Sequence, residues 1–232
     1  MSYLQRVFVA TEEVNRRAIL AAAEPRPGAT LVDLGCGDGS FTERVGKRVG
    51  AGRVVGVELI PALADAAERR GIEVRRADLG ERLPFADGEV DVVHSNQVIE
   101  HLPKTDRFMQ EIRRVLTPDG YAVVSTNNLA SLHNVACLVV GYQPSPCHVS
   151  DVRAGVGNPI DAFRGFPGEE AQQHLRVFTG RALAELAEIH GLRVEQQRTA
   201  GFYPLPPRLA EVATRIAPQW GAFLVQRYAP AG

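Results

Sequence analysis

Three glycines alternate with single residues near the start of the chain and directly follow a short apolar segment. Gly35, Gly37 and Gly39 come after residues 31–34. An apolar run that ends in such a turn is typical of a buried strand that turns sharply into a helix. Glycine lets the backbone approach a ligand closely, and a helix from about Ser40 would direct its N–H groups toward that ligand. The spacing predicts a site for a nucleoside-type cofactor, although such turns also occur without a ligand.

An acid beside this turn narrows the choice of cofactor. Asp33 lies two residues before the first glycine, and Ser40 stands where a dinucleotide-binding fingerprint has another glycine. A carboxylate would repel a pyrophosphate, whereas it would attract a cationic ligand. S-adenosylmethionine carries a sulfonium and an ammonium, so the turn fits this cofactor better than it fits NAD or ATP.

Two further acids follow the next two predicted strands. Glu58 ends a strand that begins at Arg53, and Asp78 follows a short strand over residues 73–77. Glu58 could accept hydrogen bonds from ribose hydroxyls, and Asp78 from an adenine amino group while Leu79 packs on the ring. Each acid alone is also typical of a surface or turn carboxylate. Ligands bind at the carboxyl ends of parallel strands in open α/β sheets, so the three acids together predict a cofactor site.

Apolar periodicity predicts the elements that carry these residues. Helices and strands alternate over the first 125 residues, which predicts a parallel sheet covered on both faces. The predicted helices are 4–23, 40–49, 61–70, 106–116, 179–190 and 208–217, and the predicted strands are 30–34, 53–58, 73–77, 90–94, 121–125, 192–199 and 222–228. Thr179 is the expected N-cap of its helix, and Pro118-Asp119-Gly120 forms the expected turn into strand five.

The chain closely resembles the class I S-adenosylmethionine-dependent methyltransferases, in their small-molecule branch. The resemblance is carried by residues 33–39, Glu58, Asp78-Leu79, residues 91–102 and residues 116–125, and it extends over 30–126 and, in general plan, 174–229. It implies a Rossmann-like α/β fold with three αβα layers and a seven-stranded, mostly parallel sheet whose last strand is antiparallel. The chain length suits a single methyltransferase domain over 1–232. Residues 127–175 lack long periodicity, which indicates an insertion or cap over the acceptor site.

The resemblance implies a set of residues that bind S-adenosylmethionine. Gly35 and Gly37 would let the methionine part lie against the loop, with Asp33 oriented toward its ammonium. Ser95 and Asn96, just past strand four, would line the methionine side near the reactive methyl. The full implied set is Asp33, Gly35, Cys36, Gly37, Glu58, Leu59, Asp78, Leu79, Ser95 and Asn96.

Methyl transfer needs a general base only if the acceptor must lose a proton, and histidines are the natural candidates. His101 comes just after strand four, where the methyl should be, and His148 and His174 lie in or beside the insertion. Each of the three is also typical of a structural histidine. No carboxylate or histidine set along the chain suggests a catechol-type metal site, and no metal ligand is expected.

Composition limits partners and location. The chain of 232 residues has a net charge of −1 and no basic stripe, so no nucleic-acid partner is expected. Three cysteines without ligand or disulfide spacing, no apolar run long enough to span a membrane, and no secretory signal favour a cytoplasmic protein. The expected acceptor is a small, partly hydrophobic molecule, such as a natural product, methylated on O, N or C. A peptide or protein end is the alternative acceptor, and a catalytically silent binding or scaffold protein is the non-enzymatic alternative.

Overall fold

A computed structural model describes residues 3–150, 152–153, 155–159 and 173–232. The strands in these residues are β1 (Thr30–Leu34), β2 (Arg53–Val57), β3 (Glu73–Arg75), β4 (Val90–Asn96), β5 (Leu116–Asn127), β6 (Leu192–Ala200) and β7 (Phe223–Pro230). The helices are α1 (Tyr3–Ala22), α2 (Ser40–Val49), α3 (Pro61–Arg69), α4 (Thr105–Val115), α5 (Leu132–Val139), α6 (Gly180–Glu188) and α7 (Pro207–Ile216). Short 3-10 turns cover Ile99–His101 and Pro218–Trp220.

One seven-stranded sheet has the order β3-β2-β1-β4-β5-β7-β6. The first five strands pair in parallel, and β7 lies antiparallel between β5 and β6. The predicted mostly parallel, Rossmann-like sheet with an antiparallel last strand is therefore confirmed. The strand order reverses between β1 and β4, and the carboxyl ends of these two strands form the crevice where ligands bind in such folds.

Side chains of successive strand residues enter different cores, as the period of two requires. Leu31 packs with Ile19 of α1 and Val45 of α2. Val32 packs with Phe108 of α4 and Leu183 of α6. Each such buried side chain contributes about 1.5–3 kcal/mol through the hydrophobic effect. The two cores, one on each face of the sheet, hold the strand ends that carry the candidate site residues.

The boundaries of two central strands differ from the prediction. β4 continues through Ser95 and Asn96, so these residues end the strand rather than follow it. The ladder of β5 already begins at Leu116, and the predicted turn at residues 118–120 forms an irregularity inside it, opposite a register shift in β4. Gly120 makes this possible, because a Cβ there would lie 2.9 Å from the Asp91 carbonyl oxygen. The prediction that strand five starts at residue 121 was wrong for this reason.

The other predicted elements agree closely, and Thr179 caps α6 by accepting a hydrogen bond from the Ala182 N–H. The predicted insertion at 127–175 contains α5 and irregular segments in its described part. Residues 151, 154 and 160–172 of that insertion lie outside the described residues. Its role as a cap, and the single-domain organisation, stay predictions. Within the described chain, no helix combines the length and the apolarity needed to cross a membrane.

Candidate functional site

The glycine turn between β1 and α2 requires glycine at each of its three positions. The φ angles of Gly35, Gly37 and Gly39 are 81°, 56° and 78°, which residues with a Cβ rarely adopt. A Cβ on Gly35 would lie 2.5 Å from Cγ2 of Val98, whereas a Cβ on Gly37 would have nothing within 4 Å. Gly35 thus allows close packing against Val98, two residues past the end of β4, and Gly37 leaves open space above the turn that a ligand could fill.

Asp33 is buried below this turn, and both of its carboxylate oxygens have protein partners. Oδ2 accepts a hydrogen bond from Thr42 Oγ1 at 2.6 Å, and Oδ1 lies 2.7 Å from His94 Nδ1. His94 is a neighbour that sequence reasoning missed, since it depends on the register that pairs β1 with β4. The predicted orientation of Asp33 toward an ammonium stays a prediction, and such a contact would use the lone pairs that these two bonds leave.

Glu58 joins the glycine turn to the end of β2. Its Oε2 accepts from the Gly37 N–H at 3.0 Å, and its Oε1 accepts from the Ile60 N–H at 2.9 Å. A carboxylate oxygen has more than one lone pair, so both oxygens can still accept from ligand hydroxyls. The neighbouring Leu59 is 61% exposed. Glu58 is therefore held rigidly at the edge where a ribose is expected.

The acid after β3 has a looser setting. Asp78 is exposed, and its Oδ1 accepts from the Gly80 N–H at 2.7 Å. Leu79 is buried and belongs to the core beneath the sheet edge. The predicted contacts of Asp78 and Leu79 with adenine stay predictions.

Three other predicted cofactor residues have mainly protein contacts. Ser95 Oγ donates to the Leu34 carbonyl at 3.0 Å, and Asn96 Oδ1 accepts from Asn15 Nδ2 of α1 at 3.0 Å. The thiol of Cys36 packs with Ala67 and Ile72, and burial raises its pKa to about 12. A Cys36 contact with the cofactor would therefore come from its backbone.

The three histidines proposed as catalytic come together although they lie far apart in the chain. His101 ends the 3-10 turn after β4, and His148 and His174 come from the predicted insertion. The ring centroids of His101 and His174 are 4.8 Å apart. His148 stacks on His174 at 4.8 Å with 5° between the ring planes. We call His101, His148, His174 and the adjacent Glu100 the histidine cluster.

Backbone carbonyls select the tautomers of two of these rings. His101 Nδ1 lies 3.0 Å from the Gln173 carbonyl oxygen, and His174 Nδ1 lies 3.0 Å from the Pro146 carbonyl oxygen. A carbonyl only accepts, so each Nδ1 carries the hydrogen and each Nε2 presents a lone pair. Burial lowers the pKa of His174 to about 4 and that of His101 below its usual value, which keeps both rings neutral at pH 7.

Glu100 completes the cluster, and sequence reasoning missed it. The residue is fully buried, and its oxygens accept from Thr126 Oγ1 at 2.8 Å and from Asn127 Nδ2 at 3.3 Å. Burial raises the pKa of this carboxyl to about 7. Its backbone carbonyl accepts from the N–H of Leu175 at 2.7 Å, which ties the turn after β4 to the segment that carries His174.

The connection that carries Glu100 and His101 of the histidine cluster also contacts the glycine turn. Val98, which contacts Gly35, precedes Glu100 by two residues on the same connection. Gln97, at the start of that connection, has φ 56°, a conformation rare outside glycine. Strained backbone of this kind clusters at ligand sites. The sheet edge at the ends of β1 and β4 thus carries the glycine turn after β1 and the histidine cluster after β4, whose ring nitrogens and carboxyl oxygens offer lone pairs.

Comparison with known proteins agrees with this architecture. A family model described as a methyltransferase domain matches residues 32–124. A relative from Mycolicibacterium smegmatis, named a probable S-adenosylmethionine-dependent methyltransferase, is 32% identical over 80% of this chain and 71% of its own. Several other curated relatives are longer, and the chain covers 40–42% of their length.

Two solved structures have the same fold at low identity. The methyltransferase solved in complex with the Haloferax volcanii Trm112 methyltransferase activator has a TM-score of 0.64 at 18% identity, over 98% of this chain and 94% of that one. The [4+2]-cyclase SpnF has a TM-score of 0.61 at 17% identity, over 95% and 83% of the two chains. The likeness at this identity is one of fold.

Proposed function

Because this chain belongs to the S-adenosylmethionine-dependent methyltransferase family, we propose that it methylates an O, N or C atom of a small, partly hydrophobic organic acceptor. The observation that carries the proposal is the histidine cluster beside the glycine turn. A neighbouring pair of sites, one for a cofactor and one for an acceptor, is what a two-substrate transfer needs.

The residues of the turn fit S-adenosylmethionine. Gly37 leaves space that a Cβ would fill, and Glu58 keeps lone pairs at the edge of that space. The cofactor supplies a methyl group that its sulfonium already activates. The work of this chain is therefore to position the two partners and to exclude water. In this proposal Asp33, Glu58 and Asp78 bind the cofactor's polar groups, and the backbone of residues 35–37 lies against it.

The histidine cluster suits an acceptor that carries a hydroxyl or amine. The Nε2 lone pairs of His101 and His174 can accept a hydrogen bond from such a group and orient it. Exposed apolar side chains of the neighbouring insertion favour an acceptor with an apolar part; they are Leu132, Val135, Leu138, Val139 and Tyr142. A peptide or protein end remains the alternative acceptor, because the same edge could bind it.

The SpnF neighbour supports one competing function. A cyclase has this fold, so the architecture alone does not determine methyl transfer. The intact turn with Asp33 and Glu58 predicts cofactor binding in either case, and only a methylated product distinguishes the two functions. A catalytically silent scaffold would bind the cofactor and yield no product.

The test is a screen of cell extract with a methyl-labelled donor. The purified chain is incubated with extract and S-adenosylmethionine labelled in the methyl group, and mass spectrometry identifies which species gains the label. The extract also supplies any activating partner of the kind that the Haloferax neighbour has. We expect a labelled small molecule. A labelled peptide would move the proposal to the alternative acceptor, and cofactor binding without any labelled species would contradict methyl transfer.

A further inference from the structure

We propose that Glu100, His101 and His174 bind one divalent transition-metal ion, which leaves coordination positions open for an oxygen or nitrogen of the acceptor. One donor atom from each residue lies within 4.8 Å of the other two. The inference deepens the proposed function and, for the role of the acceptor, rests on it. With the ion bound, the Nε2 lone pairs of His101 and His174 would bind the metal, and the metal would hold the acceptor in place of a direct hydrogen bond. Metal binding itself is argued from the geometry of these residues alone.

The tautomers identify which histidines can be ligands. Metal-binding histidines typically donate their second ring N–H to a carbonyl or carboxylate, which fixes the ring and directs the other nitrogen at the ion. The Nδ1 atoms of His101 and His174 have such acceptors, the Gln173 and Pro146 carbonyls, which leaves each Nε2 available as a ligand. His148 differs, because its Nδ1 accepts from the His174 backbone N–H at 3.2 Å. His148 therefore positions His174 and is not one of the ligands.

The buried carboxylate gives a second, independent argument. Glu100 is fully buried, and among the described residues no lysine or arginine side chain forms an ion pair with it. Its hydrogen-bond donors, Thr126 and Asn127, are neutral. Buried charges in proteins are generally paired or coordinate a metal. A bound cation would supply the missing charge, and the two donors would act as the outer partners that orient a ligating carboxylate.

The donor set selects the class of ion. Two imidazole nitrogens and one carboxylate suit Zn²⁺ or Fe²⁺, whereas Mg²⁺ and Ca²⁺ prefer oxygen ligands. Ligand bonds to Zn²⁺ are about 2.0–2.2 Å long, so rotamer shifts of about 1 Å would close the cluster around an ion. Three protein ligands leave at least one position open, as in catalytic sites. An acceptor hydroxyl bound there would have a lowered pKa and would release its proton to water.

The location of the site links it to the cofactor turn. Glu100 and His101 lie on the connection that also carries Val98, which contacts Gly35 of the glycine turn. An ion at this position would hold the acceptor next to the cofactor. Asn127 links Glu100 to Gln97, the strained residue at the start of this connection. Its Nδ2 donates to Gln97 Oε1 at 3.0 Å and to Glu100 Oε1 at 3.3 Å.

The test measures metal binding directly and does not depend on activity. The full chain, freed of any histidine tag and stripped with a chelator, is titrated with Zn²⁺ by calorimetry and with Co²⁺ by visible absorption. We expect one equivalent per chain, with His101→Gln and His174→Gln each weakening binding by at least about 100-fold. Glu100→Gln preserves side-chain shape and hydrogen bonding, and we expect it to weaken binding as well.

Two histidine variants serve as controls. His148→Gln keeps an acceptor for the His174 N–H and should change the affinity by less than about tenfold, which is the low end for outer partners. His190→Gln alters a histidine that pairs with Asp106 on the protein exterior and should change nothing. S-adenosylmethionine binding by each variant is measured in chelator, so that it does not depend on the metal. Retained binding shows that the variant is folded and that the cofactor part of the proposed function holds, whatever the metal titration gives. No saturable binding below about 100 μM, or binding that both ligand variants retain, would overturn the metal site.

Discussion

The two halves of the candidate site, the glycine turn and the histidine cluster, use different chemical groups: backbone in the first and side chains in the second. The glycine turn is made of backbone with positive φ angles and is fixed by carboxylates, since Glu58 binds the Gly37 and Ile60 N–H groups. The histidine cluster is made of side chains, and carbonyls of the insertion hold the rings of His101 and His174. Backbone geometry suits recognition of one fixed cofactor, whereas side chains on loops can be adapted to a particular acceptor. Changes in the two halves should therefore have separable consequences.

The largest expected effect is on the backbone of the glycine turn. Gly35→Ala would put a Cβ at a φ of 81° and against Val98, so it should lower the free energy of unfolding by roughly 3 kcal/mol or more. Gly37→Ala has the backbone strain without the clash and should cost about 1 kcal/mol, while its Cβ occupies the open space and weakens cofactor binding. Urea denaturation of both variants checks this difference. Equal losses of stability would show that Val98 does not restrict position 35.

A change in the histidine cluster should affect turnover and leave the cofactor half intact. With the acceptor that the labelled screen identifies, we expect His174→Gln and His101→Gln to lower kcat by at least about 100-fold, because the acceptor is no longer held or activated. The Kd for S-adenosylmethionine should stay within about twofold of the parent value, since the hydrogen-bond partners of the two rings are the Gln173 and Pro146 carbonyls and not residues of the glycine turn. His190→Gln is the control. Full activity of both His101→Gln and His174→Gln would show that neither histidine takes part in the mechanism.

An intermediate effect is expected at the acid that joins β2 to the turn. Glu58→Gln keeps the side-chain shape but replaces a charged acceptor, so cofactor affinity should fall by about tenfold or more. The same change also weakens the bonds to the Gly37 and Ile60 N–H groups. Glu43→Gln, in the first turn of α2, is the matched control. Unchanged cofactor affinity in the Glu58 variant would exclude this residue from the cofactor site.

The smallest expected effect is at the exposed acid after β3. Asp78→Asn should weaken cofactor binding by about threefold to tenfold, which corresponds to one ordinary hydrogen bond. Asp119→Asn is the control, because that exposed residue lies in the β5 irregularity near the start of the strand and away from the carboxyl edge. Calorimetric titration of both variants gives the comparison, and equal affinities would mean that Asp78 has no part in cofactor binding.

Local patterns were sufficient to predict the cofactor half. The bounds of α2 agree with the prediction because Gly39 and Gly50, both with positive φ angles, flank it. The predicted start of β5 was wrong because the strand forms an irregularity around Gly120, and that distortion depends on a carbonyl from the neighbouring strand. Elements set by residues close in the chain were therefore predictable from spacing.

The histidine cluster could be predicted only as separate residues. His101 and His174 meet because the end of the insertion folds back on the turn after β4, where the Leu175 N–H donates a hydrogen bond to the Glu100 carbonyl. No periodicity encodes such a contact. The pairing of Asp33 with His94 was missed for the same reason, because it follows from the alignment of two strands far apart in the chain.

The most direct test of the separation between the two halves is calorimetric titration of S-adenosylmethionine into the parent chain, Glu58→Gln and His174→Gln under one set of conditions. We expect cofactor affinity to fall by about tenfold or more in the Glu58 variant and to stay within about twofold in the His174 variant. Equal losses in the two variants, or a loss in the His174 variant alone, would contradict the assignment of the glycine turn to the cofactor and of the histidine cluster to the acceptor.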